Sequence, residues 1–152
     1  MNHETAAYLL QYDSAYGTFN AKVSHTDNRI VVDGREIPFL SNRNPAELPW
    51  QAMDIDVVIE ATGVFASYEK SHAHIAAGAK HVIITAPVKD TPPDGITGDI
   101  VLMGVNSERV KECVITSNAS CTTNAVGIPL HVLNEKIGVR SCLLYTSPSP
   151  RD

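Results

Sequence analysis

The sequence lacks long hydrophobic runs and clusters of positive charge. No uninterrupted apolar run among its 152 residues exceeds five residues, far fewer than a membrane-spanning helix requires. Acidic residues outnumber basic ones by 17 to 12, which gives a net charge of −5, and no lysine- or arginine-rich segment occurs. We therefore expect neither a membrane nor a nucleic acid to be a partner of this chain.

Cysteines are also few, and their positions do not suggest a metal site. Of the three, Cys113 and Cys121 are eight residues apart, and Cys142 follows much later. Because zinc ligands usually occur in closer pairs, we expect no bound metal. An odd cysteine count disfavours a disulfide framework and indicates a reducing compartment. The opening residues, 1–5, are polar and acidic, unlike a signal peptide.

The composition is that of a folded globular protein. Hydrophobic residues make up 43% of the chain and charged residues 19%, and the length fits about one domain. Residues 3–12 predict a short amphipathic helix, and residues 13–17 a turn. Three short segments separated by turn signals then predict a small antiparallel meander: 21–24, 29–32 and 36–40.

The pattern changes after a proline-punctuated loop at residues 43–50, where one helical turn is expected. Four apolar, β-branched segments predict further strands: 56–60, 81–85, 99–103 and 113–116. Residues 67–77 predict a helix that ends at Gly78. Strand, helix and strand within about 30 residues form a βαβ unit, so we expect an α/β fold with parallel strands buried on both faces.

Small polar segments directly follow three of these strands, at 61–63, 85–87 and 117–121. Ligands of open α/β sheets bind beyond the carboxyl ends of the strands, so a nucleotide is expected to cross all three segments. Cys121 ends the last segment, just before residues 125–133, which predict a helix despite Pro129. Because a helix N-terminus favours a thiolate, we predict that Cys121 attacks an electrophilic carbon.

Two features suggest that this chain is part of a larger protein. The G-x-G-x-x-G fingerprint of dinucleotide-binding folds is absent, and no strand precedes the first helix. Either the fold is of another kind or its first βαβ unit is missing. Residues 142–152 resemble one translated frame of a sequencing-library adaptor, and a Pro/Ser-rich tail with a phosphorylation site is the alternative. We exclude this segment from fold reasoning.

Residues 117–124, with the sequence SNASCTTN, resemble the active-site signature of the phosphorylating glyceraldehyde-3-phosphate dehydrogenases. Four supporting segments match the same family in order: 7–14, 43–50, 60–65 and 77–80. The resemblance covers about residues 4–140. It implies an internal fragment of a cytoplasmic, glycolytic, homotetrameric enzyme that oxidises D-glyceraldehyde 3-phosphate with NAD and inorganic phosphate to 1,3-bisphosphoglycerate.

The same resemblance implies a division of the chain into three parts. Residues 1–119 would form a partial Rossmann-type, doubly wound NAD-binding domain with the small meander, without its first strand and glycine-rich loop. Residues 120–141 would begin a truncated catalytic domain with the active-site helix. Residues 142–152 would be the non-native tail. The missing first strand leaves the choice between NAD and NADP open.

Individual site residues follow from the resemblance. Cys121 matches the nucleophile, and Ser120 and Thr122 match residues that line the substrate and phosphate site with it. The alternatives are an inert buried cysteine and a helix cap at Ser120. Four residues match positions near the cofactor: Arg43 by the adenine, Thr62 and Gly63 in a backbone lip, and Thr85. The alternatives for these are a solvated arginine and ordinary strand-end turns.

The chain departs from the family pattern at Ala125, often a second cysteine, and at Asn44, commonly an aspartate. Neither change affects the predicted chemistry. The family's base is a histidine of the catalytic domain. His131 lies ten residues along the helix from Cys121, about 15 Å by axial rise and beyond hydrogen-bond reach. We therefore expect the base to lie outside this chain and the chain alone to give no turnover.

Two other functions stay open from the sequence. Erythrose-4-phosphate dehydrogenase shares the cysteine signature and would act on a different aldehyde. A non-catalytic nucleotide-binding fragment is the second alternative, and an unreactive Cys121 would favour it.

Overall fold

A computed structural model describes residues 1–143, and the chain divides into two compact units, Met1–Asn44 and Pro45–Asp152. Most of the adaptor-like segment predicted at 142–152 therefore lies outside the described residues. Within residues 1–143, no helix combines the length and the apolar character that crossing a membrane would demand.

The first unit contains a short helix over small antiparallel sheets. Helix α1 (His3–Gln11) begins after Asn2, whose side-chain oxygen accepts the backbone N–H of Thr5 at 2.9 Å. The helix packs against the meander through Ala6 and Ala7, its two buried residues. The helix predicted at this end of the chain is confirmed.

Five short strands complete this unit: β1 (Tyr12–Asp13), β2 (Gly17–Thr18), β3 (Val23–His25), β4 (Arg29–Val32) and β5 (Arg35–Pro38). Strands β3, β4 and β5 pair antiparallel in that order, which confirms the predicted meander. The turn between β4 and β5 uses Asp33 and Gly34, both with positive φ (49° and 83°), as a tight hairpin requires. Strands β1 and β2 form an additional two-residue ribbon where only a turn was predicted.

The second unit is built on a parallel sheet. Its elements are a 3-10 turn (Pro45–Glu47), β6 (Val57–Glu60), α2 (Tyr68–Ala76), β7 (His81–Ile84), β8 (Gly98–Ile100), a second 3-10 turn (Ser107–Lys111), β9 (Ile115–Ser117) and α3 (Cys121–Ile137). The sheet has the order β6-β7-β9-β8, and every neighbouring pair is parallel. The predicted α/β class, with a parallel sheet and a small antiparallel meander, is confirmed.

Helix α2 is held in place at both ends. Its first turn is capped by Ser67, which accepts the N–H of Lys70 at 3.2 Å, and by the carboxylate of Asp90. The chain leaves the helix through Gly78, whose φ of +105° favours glycine. The predicted start and end of this helix are thus confirmed.

The hydrophobic core of the second unit lies on the side of the sheet that faces α2. Side chains alternate across a strand, so Val58, Val82, Ile84 and Ile115 point to this side and are buried. Tyr68 of α2 packs among them at 3% exposure. These contacts place α2 over the middle of the sheet.

The prediction that both faces of the sheet are buried is wrong. Val57 and Ile59 alternate with the core residues along β6, and their side chains are 47% and 65% exposed. The described part of the chain covers one face of the sheet with α2 and leaves these positions open. An apolar strand pattern alone did not distinguish one-sided from two-sided burial.

Candidate active site

The end of β9 is locked to the end of β7. The hydroxyl of Ser117, fully buried, donates to the carbonyl of Ala86 at 2.7 Å and accepts the N–H of Ala119 at 3.1 Å. The N–H of Asn118 donates to the carbonyl of Ile84 at 2.9 Å. These bonds fix the point at which the chain leaves the sheet.

The chain then turns sharply into α3. Ala119 takes a left-handed conformation with φ of +57°, which is uncommon for a residue other than glycine. The Oγ of Ser120 accepts the backbone N–H of Thr123 at 3.0 Å and forms a second hydrogen bond, 2.8 Å long, with the hydroxyl of Thr123. The side-chain amide of Asn124 donates to the carbonyls of Asn118 and Ser120, at 2.7 and 3.0 Å. The predicted capping role of Ser120 is therefore present.

Cys121 is the first residue of α3, so the helix begins four residues earlier than predicted. Its thiol is free and exposed, and the exposed Thr122 follows it. At this position the free backbone N–H groups of the first helical turn and the positive dipole end favour an anion. The helix N-terminus thus lies beside an accessible thiol.

The other two cysteines differ from Cys121. Cys113 precedes β9 and is 5% exposed, and burial, followed by the charge of Asp99, raises the pKa of its thiol. Cys142 is exposed and lies beyond the end of α3. Among the described cysteines, Cys121 alone combines exposure with a helix N-terminus.

The ends of β6 and β7 carry three of the predicted cofactor residues. Thr62 and Gly63 follow β6, and Thr85 follows β7; all three are exposed. Gly63 has a φ of +74°, and no atom lies within 4 Å of the place a Cβ would take. Thr85 donates its N–H and its hydroxyl to the carbonyl of Glu60, at 3.0 and 3.2 Å. The structure thus places these three residues at the same carboxyl edge, where a nucleotide could bind.

Glu60, the last residue of β6, was not predicted from the sequence. Its side chain is 3% exposed, yet its Oε1 accepts the N–H of Thr62 at 2.8 Å and also the Thr62 hydroxyl. Its Oε2 lies 3.1 Å from Nε2 of His74. Burial raises the pKa of Glu60, but the hydrogen bonds from Thr62 and His74 outweigh it and leave the pKa lowered.

Arg43 belongs to the other unit, where it is an exposed residue after β5. Its predicted place near the adenine stays a prediction. His131 lies on α3 and pairs with Glu135 at 3.5 Å. In the part of the chain that the structure describes, no hydrogen bond joins a histidine to Cys121. The source of the base likewise stays a prediction.

A groove of about 310 Å³ runs along the open face of the sheet to this edge. Apolar side chains of the strands and the following loops line it, together with Thr85 and Asn118 at the carboxyl ends of the strands. No group of three or more histidine, cysteine or acidic side chains within residues 1–143 could hold a metal ion. The groove is open to solvent beside the strand ends.

The chain is similar to known proteins over most of its length. Residues 1–68 match the family model of the glyceraldehyde 3-phosphate dehydrogenase NAD-binding domain. A glyceraldehyde-3-phosphate dehydrogenase of Streptomyces coelicolor is 45% identical over 144 residues, which cover 93% of this chain and 41% of the relative. This chain belongs to the glyceraldehyde-3-phosphate dehydrogenase family. The family resemblance seen in the sequence is confirmed, and the domain match supports NAD as the cofactor.

Further relatives of this dehydrogenase family give the same result. The enzyme of Thermotoga maritima is 46% identical over 144 residues, 94% of this chain and 41% of its own length. Glyceraldehyde-3-phosphate dehydrogenase 2 of Staphylococcus epidermidis is 47% identical over 147 residues, with the same coverages. The chain therefore spans about two fifths of the length of these relatives. The domain boundary predicted between residues 119 and 120 stays a prediction.

Proposed function

We propose that the full-length protein containing this chain is a phosphorylating glyceraldehyde-3-phosphate dehydrogenase in which Cys121 is the nucleophile. The observation that carries this proposal is the place of Cys121: exposed, free, and first in a capped helix at the carboxyl edge of the sheet. The family membership supports the reaction, and the position of the thiol supports the role of this residue.

The proposed chemistry begins with the thiolate of Cys121 adding to the aldehyde carbon, which forms a carbon–sulfur bond and places a negative charge on the oxygen. NAD supplies the hydride acceptor when it is bound. Loss of that hydride from the carbon leaves an acyl thioester on Cys121. Inorganic phosphate then attacks the thioester, the carbon–sulfur bond breaks, and 1,3-bisphosphoglycerate and the free thiolate are released.

Ser120 and Thr122 flank the nucleophile and are proposed to bind the phosphate groups. Both carry a hydroxyl beside the N-terminus of α3, where backbone N–H groups favour anions. Ser120 would combine this role with capping. Its Oγ accepts the Thr123 N–H, and when the Thr123 hydroxyl is the donor of their 2.8 Å hydrogen bond, the Ser120 proton is free to donate to a phosphate. The substrates are thus a phosphorylated aldehyde and inorganic phosphate.

The cofactor is proposed to lie across the ends of β6 and β7. The exposed hydroxyls of Thr62 and Thr85 can hydrogen-bond it, and the missing side chain of Gly63 leaves room for close approach. Arg43 is proposed to contact the adenine. The family assignment favours NAD over NADP. Cytoplasmic location and a homotetramer are proposed from the family.

The test is NADH formation by the full-length protein with D-glyceraldehyde 3-phosphate, NAD and phosphate. We expect turnover that depends on phosphate and is abolished in Cys121→Ser, while the isolated 152-residue chain gives none. A higher kcat/KM for erythrose 4-phosphate would instead assign the protein to erythrose-4-phosphate dehydrogenase. Full activity in Cys121→Ser would contradict the proposed nucleophile, and turnover by the isolated chain would contradict the proposed location of the base.

A further inference from the structure

Glu60 joins the two strand ends that the proposed function assigns to the cofactor. Its backbone carbonyl accepts the N–H and the hydroxyl of Thr85 after β7. Its carboxylate accepts the N–H and the hydroxyl of Thr62 after β6. One residue therefore holds both segments, although it is itself 4% exposed and cannot reach a ligand in solvent.

The carboxylate of Glu60 is held from behind by a chain of hydrogen bonds. Nε1 of Trp50, which is always a donor, donates to Nδ1 of His74 at 3.1 Å. Nδ1 is then the acceptor, so the proton of the neutral ring is on Nε2, which lies 3.1 Å from Oε2 of Glu60. The direction of each bond is thus fixed from Trp50 to Glu60.

We propose that Glu60 is a positioning residue for NAD binding, acting through Thr62 and Thr85, with His74 and Trp50 fixing its orientation. This rests on the proposed function, in which Thr62, Gly63 and Thr85 bind the cofactor. The carboxylate keeps the exposed Thr62–Gly63 turn in one conformation before the cofactor arrives. A preorganised turn avoids the ordering cost that a loose turn would pay on binding.

The network requires a carboxylate at position 60. A glutamine could accept from Thr62 with its oxygen, but its NH₂ group would then face the Nε2–H of His74, and two donors would meet. Moving the His74 proton to Nδ1 would relieve that contact but would set it against the Trp50 donor. Turning the amide over would give the His74 donor an acceptor but would set the NH₂ group against the Thr62 N–H. No arrangement of Glu60→Gln satisfies every partner, so the variant should weaken the contacts that hold the turn.

The experiment compares NAD dissociation constants, measured by calorimetry, for the full-length protein and variants. We expect Glu60→Gln to weaken binding about tenfold. Val58→Ala is the matched control, because Val58 lies two residues earlier on β6 and is buried. Its apolar side chain takes no part in the hydrogen bonds that join Glu60 to Thr62 and Thr85. This variant should lose a similar amount of thermal stability yet change the NAD dissociation constant less than twofold.

A second pair of variants keeps the test decisive if Glu60→Gln does not fold. His74→Gln retains an N–H donor toward Glu60, whereas His74→Phe removes it. We expect His74→Gln to bind NAD within about threefold of the wild type and His74→Phe to bind about tenfold more weakly. A role in stability alone would weaken NAD binding in proportion to lost stability in all four variants.

The outcomes distinguish a failure of this inference from a failure of the proposed function on which it rests. Wild-type protein that binds no NAD would overturn the proposed function and this inference together. Wild-type binding with equal dissociation constants for Glu60→Gln and Val58→Ala, or for the two His74 variants, would overturn the role of Glu60 and leave the proposed function intact.

Discussion

Replacing Ser120 by alanine should loosen the helix end that carries Cys121. Within the described residues, no residue of helix α3 is fully buried, so little tertiary packing compensates for a lost cap. The Oγ of Ser120 accepts the Thr123 N–H at 3.0 Å, and alanine offers no acceptor. Loss of such a cap costs about 1 kcal/mol, or about a fivefold change in the opening equilibrium of the first turn.

Hydrogen exchange at the first-turn amides of α3 measures this change directly. The amides to follow are those of Thr123 and of Asn124, whose N–H donates to the Ser120 carbonyl at 3.0 Å. In Ser120→Ala both should exchange about fivefold faster, because local opening controls their rate. Amides of β7 and β9, which lie in the core, should be unchanged.

Two controls distinguish capping from other effects at this position. Ser120→Asp restores an acceptor and should return the Thr123 rate to near the wild-type value, whereas Ser120→Gly should give a smaller acceleration than alanine. Equal rates at Thr123 and Asn124 in the wild type and Ser120→Ala would refute the reasoning. Equal acceleration in the aspartate variant would show that the hydroxyl acts in another way.

Two further substitutions test the fold around the site. Gly78→Ala should lower the free energy of unfolding by about 3 kcal/mol, because φ is +105° and the new Cβ would lie 2.8 Å from Cα of Gln51; an unchanged midpoint in thermal unfolding would contradict this. Asp90 accepts the N–H groups of Tyr68 and Glu69, and although burial raises its pKa, these hydrogen bonds leave it below the ordinary value of 3.8. The stabilisation that the Asp90 carboxylate gives to the fold is complete above its ordinary pKa and is lost as the pH falls through the lower folded-state pKa. Asp90→Asn should therefore lower the free energy of unfolding, measured in urea, by about 1 kcal/mol near pH 7 and by little at low pH. A cost independent of pH would contradict it.

Local signals in the sequence were enough for much of the fold. Asp33 and Gly34 gave a correct hairpin because only residues that tolerate positive φ fit that turn. Ser67 and Gly78 similarly bracket α2, since a cap and a left-handed glycine act on neighbouring backbone groups. Such features depend on residues a few positions apart, which a sequence displays directly.

Features that depend on distant partners were not predictable. β8 pairs with β9 at the edge of the sheet, an order that apolar runs do not encode. The open face at Ile59 was also missed, because alternate apolar positions look alike whether or not something covers them. Glu60 is hydrogen-bonded to His74, 14 residues away in the sequence, and His74 to Trp50, 24 residues away. An acidic residue ending an apolar strand was the available signal for that network.

For the site, the strand-to-helix transition at Cys121 was predicted and its local geometry was not. The left-handed Ala119 and the two hydrogen bonds donated by the Asn124 side chain allow α3 to begin at the cysteine itself, four residues before the apolar pattern starts. Hydrophobic periodicity reports the buried stripe of a helix, and the first turn of α3 is mostly polar. The cap, rather than the pattern, decides where this helix starts.

Site-resolved alkylation of the 152-residue chain tests the central claim, that Cys121 is an activated nucleophile. Iodoacetamide modification at neutral pH is followed by peptide mass spectrometry, with the exposed Cys142 and the buried Cys113 as internal references. We predict that Cys121 reacts about tenfold faster than Cys142, and that Cys113 reacts slowest because its thiol is buried and its pKa is raised. A rate at Cys121 equal to or below that at Cys142 would contradict the account.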